Sequence, residues 1–354
     1  MKLNHIYKSI ACGVVLAMTA TSCDLDYNPV DTYSDVTEGV NKTDEKPIFN
    51  SVQDVETSMV TLHKKFRDQQ EHWYVDKLLI GDAHSDNAYA GTTGAEVVPY
   101  ETNSIEGSNS VLKRDWDRFL GDIAVANRII VGCDQLKALS ESERGKYQSQ
   151  AKIFRAMVMF DMVRLWGNFP VITTVGGDIT EDNVEEMYPT YFPPQNTAEE
   201  AFAQIEKDLT EAVENPNTPT NDTSDKSILT KSVARAMLAK VYAEKPLRDY
   251  AKVIKYADEL AADGFDLVED FSDLWAYDTE KKDCRVRNTK EAILEAHFPP
   301  GSGNWCTWMF GRNLSNWDES FTWAKWITPS RDLIRLYEEQ GDTKRYNESV
   351  VWYD

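Results

Sequence analysis

Histidine is scarce in this chain: five occur in 354 residues, and His5 falls in an N-terminal leader. Little imidazole is therefore present for acid–base work near neutral pH or for a histidine-rich metal centre. Catalytic signatures are missing too, with no G-x-S-x-G, Walker loop, H-E-x-x-H or G-x-G-x-x-G. A glycosidase would need two carboxylates facing each other across a cleft. Composition alone does not exclude such a pair among 59 acids, but no spacing singles one out. The chain reads as a non-enzyme that needs no cofactor. Basic residues are in deficit as well, Lys+Arg 38 against Asp+Glu 59 for a net charge of −21, which argues against gathering a phosphate backbone. No nucleic-acid partner is expected. Beyond the leader the cysteines are Cys23, Cys133, Cys284 and Cys306, without C-x-x-C spacing, so neither a zinc site nor a disulfide framework is indicated.

The N-terminus carries Lys2 and Lys8, an apolar run from Ile10 to Ala20, then Thr21, Ser22 and Cys23. This is the pattern of a secretory signal over residues 1–22, with an apolar part too short to span a bilayer. Small residues before a cysteine also fit a lipoprotein signal, in which Cys23 is acylated and anchors the mature chain to a membrane. Ala20 stands where that signal prefers leucine, so simple secretion is the alternative. Residues 24–47 are polar and acidic, the composition of a solvated tether. The folded domain is expected over 48–354, with no later apolar run of membrane-spanning length.

Helical periodicity dominates that domain. Ser51 is a candidate N-cap ahead of Val55, Met59, Leu62 and Phe66, which share one face. Trp116, Phe119, Leu120, Ile123, Val125 and Ile129 repeat the pattern. The stretch 147–170 is apolar on two faces, Phe154, Val158, Met162 and Leu165 on one and Ile153, Met157 and Phe160 on another, so it should be central; Gly167 and Pro170 stop it. Within it, Asp161, Arg164 and Arg155 read as an ion-pair network. Thr197 and Glu200 form a capping box. A helix pair divides at Pro246, and Leu238, Ala239, Tyr242 and Ala251 fall at tetratricopeptide spacings, although Ala257 is one position early. Residues 290–298 read as a short strand, and a last helix is expected with Thr328 as cap, Pro329 in its first turn and Gly341 as stop. The fold class is mainly all-α: a tetratricopeptide-like helical superhelix with long loop excursions.

Three irregular segments interrupt the helices: 81–110, 171–196 and 297–326. Loops this long are functional or disordered. The last holds five of the ten tryptophans, broken by glycines at 301, 303 and 311. Indole rings on such a loop offer flat apolar faces with an N–H at the edge, which suits a sugar. Trp305, Trp308 and Trp317 are the candidate stacking platforms, with Asn313 and Asn316 as partners for hydroxyls; Trp323 and Trp326 are expected to pack beneath the following helix. For each ring the competing reading is that it simply packs the loop onto the array. In 81–91, Asp82, His84 and Asp86 alternate and could share a side, a metal reading set against that of solvated loop carboxylates.

Taken together, the leader with Cys23 and "DLDYNP", the "WDRFLGDIAVANRII" helix with Asn127, "AKIFRAMVMFDMVRLWGNFPVI" and "TPSRDLIRLYEEQGDTKR" resemble the SusD/RagB family of surface glycan-binding lipoproteins. The third motif is the most specific. The resemblance spans essentially the whole chain and implies a right-handed superhelix of helix pairs whose loops face ligand. It implies polar ligand contacts from Asp82, Asp86, Asn87 and Tyr89, and a cell-surface, outer-membrane location. The implied partners are an oligosaccharide and a SusC-like TonB-dependent transporter that the lipoprotein covers like a lid. Family members run past the "GDTKR" element, so the resemblance also implies a C-terminal part beyond Asp354. A docking role at the transporter, with a peptide or another non-glycan ligand, is the alternative to glycan capture.

Overall fold

A computed structural model describes residues 47–90, 96–177, 179, 183–278, 280–281, 283–298 and 327–350. The first helix, α1 (Val52–Asp68), starts where the sequence places it. Ser51 accepts from the Asp54 amide while Asp54 reaches back to the cap, and Val55, Met59, Leu62 and Phe66 are buried. A continuous helical stretch follows, wide and π-helical at Glu71–Val75, α-helical at α2 (Asp76–Leu78), and π-helical again at Leu79–Ala83. Strand β1 (Ala88–Ala90) and the short turn α3 (Val98–Glu101) come next, so the segment expected to be loop is partly regular.

The array proper is built from α4 (Ser110–Gln135) and α5 (Glu141–Trp166), then, after the exposed α6 (Val184–Tyr191), from α7 (Ala198–Glu214), α8 (Lys231–Ala243) and α9 (Tyr250–Ala262). Contacts run α1 to α4, α4 to α5, α5 to α7, α7 to α8 and α8 to α9, the neighbour-on-neighbour stacking of a repeat array. Helix α5 is central because two of its faces are apolar: Ile153, Phe154, Val158, Met159 and Met162 are all fully buried. Each such side chain removed from water stabilises the fold by about 1.5–3 kcal/mol before entropy is counted. Met157 and Leu165 are only half-buried.

The charges buried in the array serve its packing. Arg155, 3% exposed, donates Nε and Nη2 to the two oxygens of Asp208 on α7 at 2.8 and 2.7 Å. Its Nη1 donates to Asn127 of α4 at 2.7 Å, and the Asn127 amide donates in turn to the carbonyls of Ile172 and Thr174. One buried guanidinium thus ties three layers and the chain after Pro170. The expected network among Arg155, Asp161 and Arg164 is absent: Asp161 pairs with Lys77 at 2.5 Å and Arg164 with Glu244 at 3.0 Å. Tertiary neighbours offered these side chains better partners than their own helix did.

Helices α8 and α9 form the expected pair, but the small-residue contact does not: Ala251 is exposed, and the approach is made by Tyr256, stacked parallel to Tyr242 with centroids 6.0 Å apart. Beyond α9 lie a 3-10 turn (Phe271–Leu274) and a hairpin of β2 (Tyr277–Asp278) with β3 (Asp283–Cys284). Residues 290–298 form no strand; Glu295 instead folds its carboxylate onto the Asn288 and Thr289 amides, and its own amide donates to the Lys226 carbonyl. Strand β4 (Ile327–Pro329) precedes α10 (Arg331–Gln340) and α11 (Thr343–Ser349). Thr328 and Pro329 therefore lie in a strand. The cap of α10 is Ser330, which accepts from the Leu333 amide at 3.0 Å. Gly341 ends α10 at φ 65°, a left-handed turn that glycine adopts without steric cost. No helix among the described residues is long and apolar enough to cross a membrane.

Candidate functional site

The loop after the π-helical stretch is held by a residue far along the chain. Strands β1 and β4 pair antiparallel, Ala88 opposite Pro329, Tyr89 opposite Thr328 and Ala90 opposite Ile327. Ser330 extends the ladder: its amide donates to the Asn87 carbonyl at 2.9 Å and its hydroxyl to the Asp86 carbonyl at 2.5 Å. On the other side of β1, the Ala90 amide donates to Glu101 at 2.8 Å. A small core of Leu79, Ala83, Val97, Tyr100 and Val111 lies beneath, with Ile327 packed against it. Backbone pairing and burial together fix where residues 86–89 point.

The first two of these residues border an open cleft of about 230 Å³, lined by Asp86 and Asn87 and by Asp332, Leu333, Arg335, Leu336 and Glu339 of α10. Two of the family-implied ligand residues are thus brought against helix α10, to which the sequence assigned no ligand role. Leu336 is 47% exposed and supplies an apolar patch. Around it stand three carboxylates, an amide and one guanidinium, a mixture of acceptors and donors that a polyhydroxylated ligand can satisfy. Arg335 pairs with Asp332 at 2.7 Å and with Glu339 at 3.5 Å. Exposed ion pairs of this kind hold by only about 0–1 kcal/mol, so the guanidinium can be redirected to a ligand at little cost.

The other expected contacts are placed differently. Tyr89 lies on β1, 40% exposed, its hydroxyl accepting from the Arg331 amide at 3.4 Å beside the cleft. Asp82 is half-buried, and its carbonyl accepts from the Ser85 amide and hydroxyl; it does not line the cleft. His84 meets Asn103 at 2.5 Å. Among the described residues no group of three or more His, Cys, Asp or Glu side chains could hold a metal ion. Trp305, Trp308, Trp317, Trp323, Trp326, Asn313, Asn316 and Cys23 lie outside the described residues.

Sequence reading passed over one aromatic surface. Helix α6 buries none of its residues, and Tyr188 and Phe192 stand 56% and 67% exposed with their rings 4.7 Å apart at 31°. Their i, i+4 spacing was a visible signal, hidden by Pro189 between them. Tyr191 on the same helix donates its hydroxyl to the Gly177 carbonyl at 2.7 Å and so serves the loop.

A stacked array of helix pairs bearing a polar cleft at a strand–helix junction defines a helical-repeat protein, and comparison with known proteins gives the family. The model of a SusD-like family, described as starch-binding and associating with the outer membrane, matches residues 32–243. The chain belongs to this SusD-like family. A SusD-like protein of Bacteroides ovatus is 26% identical over 238 residues, 64% of this chain and 39% of the relative. Among solved structures, a SusD superfamily protein from Bacteroides vulgatus superposes with TM-score 0.63 at 15% identity, covering 82% of this chain and 58% of that one. Surface glycan-binding protein A from Bacteroides thetaiotaomicron, in complex with laminarihexaose, gives TM-score 0.52 at 16% identity, covering 64% and 46%. The chain thus spans 39% of its curated relative and about half the length of these solved structures. The family is one of binding proteins, and the mainly helical repeat fold expected of it is the fold observed.

Proposed function

We propose that this chain captures an oligosaccharide without chemistry, at the face where β1, β4 and α10 meet, and presents it to a TonB-dependent outer-membrane transporter. The observation that carries the reading is the junction of Asp86 and Asn87 with Asp332, Arg335 and Glu339 around exposed Leu336, in a chain of a starch-binding family. Hydroxyls would be met by the acids, the amide and the guanidinium. Flat sugar faces would be met by rings of the segment 297–326, Trp305, Trp308 and Trp317, which enters β4 at Ile327. Asn313 and Asn316 would add hydrogen bonds, and Cys23, acylated, would hold the protein at the cell surface. A neighbour of this fold carries laminarihexaose, which makes β-glucan and starch the first ligands to try.

The test is affinity electrophoresis of a soluble form that starts at Asp24, and so lacks the acylated cysteine, run through gels containing laminarin, starch and a panel of other polysaccharides. A Trp305→Ala/Trp308→Ala variant and an Asp86→Ala/Asn87→Ala variant run beside it, with circular dichroism to check folding. Retardation of the wild type that both variants lose is the expected result. Loss of one ring should weaken binding by about 1–3 kcal/mol, by analogy with aromatic stacking on bases. No retardation on any gel by folded wild type would overturn the glycan reading and favour docking.

A further inference from the structure

Between the helical stretch 71–78 and α4 sits a group of charges whose count does not close. Asp76 of α2 and Asp115 of α4 are 0% and 1% exposed. Glu71 lies on the same helical stretch as Asp76. Two arginines of α4 face these three carboxylates. Arg118 pairs with Glu71 at 2.6 Å, and Arg114 pairs with Asp76 at 2.5 Å. Arg114 Nε reaches Asp115 only at 3.9 Å. One buried carboxylate is left without a counter-ion of its own. Oδ1 of Asp76 and Oδ1 of Asp115 also find no N–H or O–H donor, and both buried carboxyls gather on the one Arg114 guanidinium.

An unpaired buried carboxylate is too costly to keep, and such a group neutralises instead. A single proton answers both deficits: it supplies the missing positive charge and the missing donor. We propose that Asp76 and Asp115 share one proton, and that this carboxyl–carboxylate hydrogen bond latches the helical stretch 71–83, and with it strand β1, onto the start of α4. The latch is independent of which ligand the cleft takes.

The surroundings favour the shared proton. Burial, then the neighbouring Asp76 charge, pushes the Asp115 carboxyl up to about 9, with Arg114 and Arg118 opposing. Tyr100 of α3 faces the pair as a neutral phenol, its ionisation raised first by burial and then by Asp115 and Asp76. Glu71 is the carboxylate that stays charged: burial works against it most, but Arg118, the Glu71 backbone amide and Arg114 together outweigh burial and hold it below the usual range. As pH rises, solvent base takes the proton from the Asp115 O–H and two bare carboxylates face each other. Wide π-helical turns flank Asp76 on both sides, so the element being held departs from the regular α-helix, in a rare form found frequently at functional sites.

Three readouts test this on the chain in hand. Urea unfolding of wild type and Asp115→Asn is followed from about pH 7 to about pH 8.5, where ordinary carboxylates are ionised and histidine is largely neutral in both states. The folded pair binds a proton the unfolded chain has lost, so the wild-type unfolding constant should rise by up to about tenfold per pH unit. The asparagine donates permanently to Asp76 and should remove that slope; equal slopes in the two proteins would overturn the proposal. Infrared spectra of wild type, which need no variant to fold, should show a protonated carboxyl band at neutral pH that disappears at alkaline pH. Its absence at neutral pH overturns the shared proton. Hydrogen exchange should show amides 76–90 losing protection with rising pH in wild type only, after correction for the intrinsic rate, and unchanged protection would overturn the latch.

Discussion

Arg155 and Asp208, 53 residues apart, meet as a two-pronged ion pair inside the helical array, the arginine side chain 4% and the aspartate 1% exposed. The guanidinium's third arm on Asn127 makes the pair the link between α4, α5 and α7. Fork geometry, charge and burial coincide there, and a lysine point charge cannot reproduce the three bonds.

Removing either partner strands a buried charge. Asp208→Ala or Arg155→Ala should destabilise the chain by about 3–5 kcal/mol, read from urea denaturation. Arg155→Lys should recover only part of the loss. An effect near zero for both alanine variants would mean that water reaches the pair.

Ser330 is asked to do two things, capping α10 and holding the Asp86 carbonyl. Ser330→Ala should cost about 0.5–2 kcal/mol from the cap alone. It should also raise hydrogen exchange at the residue-330 amide, which donates to the Asn87 carbonyl, and weaken any ligand that needs Asp86 and Asn87 held beside α10. Ser330→Thr keeps the oxygen and should retain most of the stability.

His63 predicts an acid-side dependence. Burial depresses its basicity, with the Gln150 hydrogen bond and the Asp225 charge opposing. The unfolded chain therefore takes up a proton at pH values where folded His63 does not. The corresponding stability is fully present above about pH 6.5, the unfolded value, and is lost as pH falls toward the depressed folded value. Urea midpoints measured downward from neutral pH should show this loss, and His63→Gln should reduce its slope.

What could be read from sequence was local. Val55, Met59, Leu62 and Phe66 follow the helical period and are all buried, and the Thr197–Glu200 capping box is present with both of its hydrogen bonds. What escaped was long-range. Thr328 looked like a cap because Pro329 suits a first helical turn, but nothing within a window of about ten residues reveals that 327–329 pairs with 88–90. Arg155 was grouped with its helical neighbours for the same reason. Of the ligand residues implied by resemblance, Asp86 and Asn87 line the cleft and Tyr89 adjoins it, while Asp82 does not line it. Helix α10's share, Asp332, Arg335 and Glu339, carried no signal because charged residues on an exposed helix face are ordinary.

The ladder between β1 and β4 has a temporal meaning. Joining positions some 240 residues apart in the chain pays its loop-closure entropy before it returns any contact. The cleft's two walls can therefore meet only after both distant segments exist, and a short three-residue ladder holds them. In any partial opening this junction should part while the helical array stays intact, so the protein could lose its capacity to recognise a ligand well before it loses its shape.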